Sequence, residues 1–351
     1  MYKISLSFCF STKAAKGGIE MVRKLLHLGY FIKSADYHRL RQCMLYVRDN
    51  YSIGLPAQFA AMMRAAWEHG ASFHDFYDFR LFAEDIKEKQ WATTVDVHYF
   101  HKRMNAQNKR HIFRNKYQFL VKFREFAKRG FFHIDLSPPN ELKSWLRTQT
   151  QFVAKPIDGE VGRGVELIRC DRFSSPELII QYLKKRRLLL IEEEIQQHDC
   201  LHKLNPASVN TIRVVTVLRN DSVQVIGSVL RMSCGSFVDN FSAGGIAAPI
   251  DSQTGKIIGP AVAIMPDENR YERHPLTNET IVGFQIPYWQ EVLETIAKVA
   301  RMIPEVRTVG WDLAISNEGP VLVEGNDNWG KTTMQIPFER GIRNVLLDAG
   351  V

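Results

Sequence analysis

The hydrophobic pattern of the first third of the chain is helical. Apolar residues there recur three and four positions apart, which is the spacing of one helix face. The first such positions are Ile19, Val22, Leu25 and Leu26. Ser34 is expected to cap a second helix, and Ser72 with Asp75 forms the pattern of a capping box. No strand-like alternation precedes about residue 131, so residues 1–105 are predicted to form a mostly helical N-terminal domain.

The pattern changes after a polar, basic segment at residues 105–116, NAQNKRHIFRNK, which predicts a domain boundary. Strand and helix patterns then mix through residues 106–351. VNTIRVVTVLR and SVQVIGSVLRMS predict a hairpin that turns at Asn220-Asp221. TVGWDLAIS and PVLVEGN predict a second hairpin that turns at residues 317–319. This second domain is therefore predicted to be α+β.

The composition and net charge of the chain indicate which kinds of ligand or partner it could bind. The chain is 45% hydrophobic and 24% charged, as in an ordinary globular protein, and its net charge is +8. Such an excess fits a nucleotide, a nucleic acid or an anionic membrane surface. The basic segment at residues 105–116 could contact nucleic acid, but a linker is the favoured interpretation. Five cysteines without a CxxC motif argue for a reducing compartment, and no apolar run reaches the length of a membrane span. We therefore expect a cytoplasmic protein, with peripheral membrane contact left open and no signal for its oligomeric state.

A glycine-rich loop, residues 158–164, joins two predicted strands. Glycines allow backbone N–H groups to approach phosphate oxygens closely. No GK[ST] follows, and the next element is a strand, which excludes a Walker loop and a Rossmann fingerprint. Lys155, at the end of the preceding strand, could reach the same phosphates as a point charge.

Two further strands carry unexpected charges. The apolar strand LLLIEEEI ends in the three carboxylates of residues 192–194. They predict either a solvated strand end or a hinge that reads an adenine edge, with Asp199 as a candidate acid for the ribose. Arg213 lies within the apolar strand TIRVV, where an arginine requires an anionic partner.

The C-terminal hairpin contains three oxygen donors. Glu324 and Asn326 are two residues apart on one strand and therefore share a face, and Asp312 lies on the partner strand. These donors suit Mg²⁺; a catalytic dyad and an ion pair with a nearby Lys or Arg are the alternatives. A separate zinc-like pattern is His198, Cys200 and His202. Its spacing is tight and no further cysteine pair accompanies it, so a polar loop is favoured.

The order of these motifs resembles the ATP-grasp superfamily over about residues 115–330. FVAKPIDGEVGRG, VNTIRVVTV, DNFSAGGIAAPID followed by TGK, and VLVEGND resemble its sugar-transfer-associated branch in particular. The resemblance implies an ATP-grasp fold, in which two α+β subdomains clasp ATP, and a lid at about residues 140–195. Two features depart from the superfamily pattern. The preceding domain is predicted to be helical instead of a small α/β layer, and Glu160 places a negative charge in the phosphate loop.

The resemblance also implies a role for each motif residue. Those matching the nucleotide site are Lys116 and Lys155 at the phosphates, Gly159, Gly162 and Gly164 in the lid, Glu192, Glu193 and Glu194 at adenine, and Asp199 at ribose. Arg213 matches a basic residue near the γ-phosphate, and Asn240 with Gly244-Gly245 resembles the N…GG segment of peptide-forming ligases. The residues matching the Mg²⁺ ligands are Asp312, Glu324 and Asn326.

The implied activity is that of a carboxylate–amine ligase. It would use ATP and Mg²⁺, with Mn²⁺ as the alternative metal, and would act through an acyl phosphate in polysaccharide or sugar-conjugate synthesis. Its partners would be a small-molecule or sugar-linked carboxylate and an amine. Two alternatives remain open: a phosphotransferase acting on a hydroxyl, and a nucleotide-regulated binding module.

Overall fold

The structure is a computed structural model that describes residues 13–83, 85–159, 164–235, 241, 244–266 and 269–349, without the side chains of residues 13–16. The chain divides into two compact units between His98 and Tyr99. The boundary at 105/106 and the lid range stay predictions.

The unit that ends at His98 is built of helices. Its helices are α1 (Lys13–Ser34), α2 (Tyr37–Tyr51), α3 (Leu55–His69) and α4 (Phe73–Asp78). The next helix, α5 (Thr94–Met104), begins before His98 and ends after it. The predicted capping box is confirmed, because Ser72 accepts from the backbone N–H of Asp75 and Asp75 accepts from that of Ser72. The predicted Ser34 cap is wrong. Ser34 ends α1 and donates its hydroxyl to the carbonyl of Tyr30, while Asp36 caps α2.

The second unit contains a small antiparallel sheet of four strands in the order β1-β4-β2-β3. These strands are β1 (Phe131–His133), β2 (Gln151–Lys155), β3 (Glu166–Arg169) and β4 (Leu190–Glu192). Two helices, α9 (Pro139–Thr148) and α10 (Pro176–Arg186), contribute to its core. That core contains Leu142, Leu146, Phe152, Ile168, Ile179, Leu183 and Ile191.

The larger sheet of the second unit has seven antiparallel strands in the order β11-β10-β5-β6-β7-β8-β9. They are β5 (Thr211–Arg219), β6 (Ser222–Met232), β7 (Ile246–Ile250), β8 (Ala261–Val262), β9 (Arg270–Tyr271), β10 (Thr308–Ser316) and β11 (Gly319–Asn326). Both predicted hairpins are present. Asn220 and Asp221 each have positive φ, as the tight turn between β5 and β6 requires. The β10–β11 hairpin closes between Ser316 and Gly319.

Helices cover this larger sheet. Those that contact its strands are α6 (His111–Arg114), α7 (Lys116–Lys122), α8 (Arg124–Ala127) and α12 (Trp289–Arg301). The remaining helices are α11 (Asp199–Leu204) and α13 (Arg343–Ala349). Trp289, Val292, Ile296 and Val299 of α12 join the principal core, because they recur at helical spacing on one face. Within the described ranges, no helix is long and apolar enough to cross a membrane.

Candidate active site

Strands of both sheets in the second unit line one cavity of about 720 Å³. A volume of this size falls within the range of about 300–1,000 Å³ that is typical of small-molecule sites. A second cavity, of about 490 Å³, adjoins it. The residues common to both linings are Lys116, Gly159, Arg213, Arg231, Glu324 and Asn326. We call the larger cavity the main chamber and the smaller one the side chamber.

A glycine on β11 permits the packing that brings α6 and α7 to the site. A Cβ built on Gly325 would lie 2.8 Å from Phe119 and 3.0 Å from Phe113, so no larger residue fits without displacing these rings. Strand side chains alternate, so the two neighbours of Gly325, Glu324 and Asn326, face the opposite side of the strand. The same strand thus packs on the helices with one face and lines the cavities with the other.

Lys116 lies where α7 begins. Asn115 caps the helix by accepting from the backbone N–H of Gln118. The Lys116 ammonium donates to the carbonyl of Gly159 and lies 3.7 Å from a Glu324 carboxylate oxygen. One cation therefore contacts both the glycine-rich loop and the end of β11.

Two predicted site residues, Lys155 and Glu192, belong to a buried ion cluster. Glu192 is only 3% exposed, and its carboxylate pairs with Lys155 from the neighbouring strand. Arg129, which the sequence did not indicate, donates from Nε to the same carboxylate over 2.7 Å. Burial alone would raise the pKa of Glu192, but the charges of Arg129 and Lys155 hold it below its usual value. Glu192 is therefore ionised at neutral pH.

The three adjacent carboxylates are held apart by different partners. The Glu193 side chain accepts from the backbone N–H of Gly130 over 2.7 Å, and that of Glu194 accepts from Gln151. A solvated strand end is therefore wrong for Glu192. All three residues line the main chamber.

Two arginines hold Asp312. Arg213 on β5 lies directly opposite Asp312 on β10 and pairs with both of its oxygens, one of them at 2.8 Å. Arg231 on β6, also absent from the predicted set, approaches Asp312 to 3.1 Å. Burial would raise the pKa of Asp312, but the two arginines hold it below its usual value. Asp312 is therefore ion-paired with Arg213 and Arg231 in the structure, as the ion-pair alternative for this residue predicts.

The other predicted metal ligands are more open. Glu324 lies opposite Asp312 in the β10–β11 register, and Asn326 lies opposite Gly310. The Asn326 amide donates toward Asp312 over 3.4 Å. Two carboxylates and an amide oxygen are hard donors of the kind that Mg²⁺ prefers. No set of three or more His, Cys, Asp or Glu residues in the described part of the chain could hold a metal ion, so Asn326 would be needed as a donor.

A hydrogen-bonded loop lines part of the main chamber. Gln197 donates to the carbonyls of Asn205 and Ser208 and accepts from Asn210. Asp199 begins α11 and accepts from the Asn317 side chain over 3.3 Å. Asp199 and the loop residues from Pro206 to Val209 line this chamber. The sequence indicated Asp199 but not the glutamine network.

The glycine-rich loop is described only at its two ends. Gly159 and Gly164 have φ values of +115° and +76°, a backbone conformation that favours glycine. The predicted residues Gly162 and Asn240 lie outside the described residues.

The zinc-like pattern belongs to the start of a helix. His198 caps α11 by accepting from the backbone N–H of Cys200 over 3.3 Å. Residues two apart on a helix point about 200° apart, which separates Cys200 from His202. This geometry does not favour a zinc site.

Comparison with known proteins agrees with this architecture. The fold is that of an ATP-grasp protein, a class whose fold binds ATP. The chain belongs to the sugar-transfer associated ATP-grasp family, whose profile matches residues 97–349. The predicted resemblance, and the α+β fold preceded by a helical region, are therefore confirmed. No curated protein matches the chain.

Several solved structures are similar in fold. The ATP-grasp ligase PsnB, complexed with a minimal precursor, is 12% identical with a TM-score of 0.40 over 70% of this chain and 64% of its own. The L-amino acid ligase from Bacillus licheniformis is 12% identical, with a TM-score of 0.39 over 68% and 48%. The D-alanyl-alanine synthetase A from Vibrio cholerae is 13% identical, with a TM-score of 0.41 over 68% and 64%. This chain spans less than two thirds of the length of each of these proteins.

Proposed function

We propose that the protein is an ATP-dependent carboxylate–amine ligase that acts through an acyl phosphate in polysaccharide or sugar-conjugate synthesis. The observation that carries the proposal is the pair of adjoining chambers. Both chambers are lined by Lys116, Arg213, Arg231, Glu324 and Asn326. A transferring phosphoryl group would meet an acceptor at these shared residues.

The main chamber suits a nucleotide. Val153 and Leu167 from the small sheet and Val323 from the large sheet offer apolar surface for a purine. Glu193 and Glu194 lie on the adjoining hinge, whose backbone would read the adenine edge. Asp199 and His202 line the same chamber and would serve the ribose. Lys155 and Lys116 would then neutralise the phosphates.

The shared residues would hold the metal and the transferring group. Glu324, Asn326 and Asp312 would hold Mg²⁺, which when bound neutralises charge on the ATP phosphates. Lys116 now lies beside Glu324 and could turn to phosphate once the metal balances that carboxylate. Arg213 and Arg231 would stabilise charge on the γ-phosphoryl group, since guanidinium groups bind phosphate oxygens strongly.

The side chamber would take the acceptor. Its lining adds Arg114, Phe241, Asn328 and Thr333 to the shared residues. Asp327 in its wall is paired with Arg110, while Arg114 lies 3.8 Å from that aspartate and is largely exposed. The chamber is therefore polar, and its cations suit a carboxylate.

The proposed reaction has two steps. An acceptor carboxylate oxygen attacks the γ-phosphorus of ATP, the bond to the β-phosphate oxygen breaks, and ADP leaves. An amine then attacks the acyl carbon of the acyl phosphate, releases inorganic phosphate and loses a proton to give the amide. The protein mainly positions the reactants and neutralises charge.

Trapping with hydroxylamine tests the reaction type. A panel of carboxylates with MgATP identifies an acceptor by ADP release, and hydroxylamine in place of the amine should then yield a hydroxamate. Arg213→Ala should suppress this product, whereas Arg219→Ala, at the end of the same strand, should not. ADP release with a stable phosphorylated product and no hydroxamate would instead identify a phosphotransferase. Tight ATP binding without turnover would identify a nucleotide-regulated binding module.

Lys155→Met tests the nucleotide site without an acceptor. Loss of a charge-assisted phosphate contact should cost about 1.5–3 kcal/mol, which corresponds to a roughly 10- to 150-fold weaker ATP affinity by calorimetry. Lys143→Met is the matched control, because Lys143 pairs with Glu177 at the surface. Unchanged ATP affinity together with a lower melting temperature would reduce Lys155 to a structural partner of Glu192.

A further inference from the structure

Helix α1 exposes an unusual amount of apolar surface. Seven large apolar side chains between residues 19 and 32 are 49–68% exposed. They are Ile19, Met21, Val22, Leu25, Leu26, Tyr30 and Ile32. At 100° per residue they occupy one continuous side of the helix. Exposed apolar surface of this extent marks an interaction site.

The opposite side of α1 is the one that packs. Phe31 is its one described side chain that is fully buried, while Lys24, His27 and Leu28 are partly covered. Lys24 lies 5.6 Å from the ring centre of Trp67 on α3 and 3.6 Å from Glu20. A helix of a globular protein normally turns its apolar face to the core. In α1 the larger apolar face points to solvent.

The net charge of α1 is positive. Its sequence contains the basic residues Lys13, Lys16, Arg23, Lys24 and Lys33 and a single acidic residue, Glu20, for a net charge of +4. By helical geometry, Lys33 falls within the apolar side, and Arg23 borders it. Both residues are exposed. A surface that covers this face must therefore accept cations as well as apolar groups.

We infer that α1 lies in the headgroup layer of an anionic lipid bilayer, with its apolar side inserted among the acyl chains. Arg23 and Lys33 would extend toward lipid phosphates, as long basic side chains do at an interface. A second copy of the chain suits this face less well. Two such helices would bring like charges together, and Glu20 lies on the other side of the helix, beside Lys24. This inference does not depend on the proposed ligase activity.

Vesicle binding tests the inference with the full chain. We expect the protein to co-sediment with phosphatidylcholine vesicles that contain phosphatidylglycerol and not with phosphatidylcholine alone. Leu25→Ser/Leu26→Ser should weaken binding by about tenfold or more, because two inserted side chains are lost. Arg23→Gln/Lys33→Gln should also weaken it by about tenfold or more, and added salt should weaken wild-type binding.

Matched variants distinguish this face from general surface effects. Leu136→Ser/Leu276→Ser removes two leucines outside α1 that are at least half exposed, as Leu25 and Leu26 are, and Lys122→Gln/Lys185→Gln removes two exposed charges outside α1. Both should bind as the wild type does, and thermal melting should show that all variants fold. The inference fails if the wild type binds neither vesicle, or if the α1 variants bind as well as these controls. It also fails if sedimentation velocity shows a dimer that Leu25→Ser/Leu26→Ser dissociates, because the face would then be a protein interface.

Discussion

Glu324→Gln is expected to lower ATP turnover by about a hundredfold or more, because a charged ligand of a hard cation is replaced by a neutral one. The same change should abolish the Mg²⁺-dependent increase in ATP affinity, which calorimetry measures without any acceptor. The fold should survive, since the Glu324 side chain is one-third exposed and the substitution leaves no cavity. Thermal melting should therefore change little.

Glu318→Gln is the matched control for this prediction. Glu318 lies in the exposed turn of the same hairpin and lines neither chamber, so its loss of charge should affect neither turnover nor metal dependence. Normal Mg²⁺-dependent binding and turnover in Glu324→Gln would remove Glu324 from the metal site. The pair with Lys116 would then be its principal role.

Glu192→Gln should destabilise the protein by about 3–5 kcal/mol at neutral pH, since it leaves Arg129 and Lys155 near one another without their buried counter-charge. For a unit of this size, such a loss should lower the melting temperature by roughly 6–20 °C. Glu305→Gln, whose carboxylate pairs with Lys109 at the surface, should leave the melting temperature nearly unchanged. Equal melting of the two variants would contradict a stabilising role for the buried cluster.

The pH dependence of this loss has a definite sign. The pKa of Glu192 is lowered by folding, so its ionised form stabilises the native state above the usual value of 4.5. This stabilisation decreases as the pH falls below that value and is lost once the pH falls through the lowered pKa of the native state, where the buried carboxyl group protonates. The stability gap between the wild type and Glu192→Gln should therefore narrow below about pH 4.5. A gap that stays constant down to low pH would mean that the charge of Glu192 is not its source.

Local sequence signals predicted local structure well. The Ser72–Asp75 capping box and the Asn220-Asp221 turn both appeared where their residues indicated, because each requires only contacts between near neighbours. The Ser34 prediction failed because two competing caps lie two residues apart. The Asp36 carboxylate accepts from the start of α2, while the Ser34 hydroxyl bonds back into α1.

The sequence by itself also determined which side chains would share a strand face. Glu324 and Asn326 had to point the same way, since strand side chains alternate, and the hairpin turn made β10 the neighbour of β11. A common order of motifs was enough to predict the family and its α+β fold. The strand faces and the hairpin needed only periodicity and turn residues, and the family prediction needed the resemblance of the motifs and their order to a known superfamily.

Only the tertiary structure decided the ionic partners within the site. Arg213 and Asp312 are 99 residues apart and meet because β5 pairs with β10, while Arg231 joins them from β6. Arg129 reaches Glu192 across 63 residues. The order of strands in a sheet depends on the apolar surface that the whole sheet buries. Local periodicity in the sequence does not contain this information. A charged residue within an apolar strand indicates that an oppositely charged partner is needed, but the strand order decides which residue that partner is.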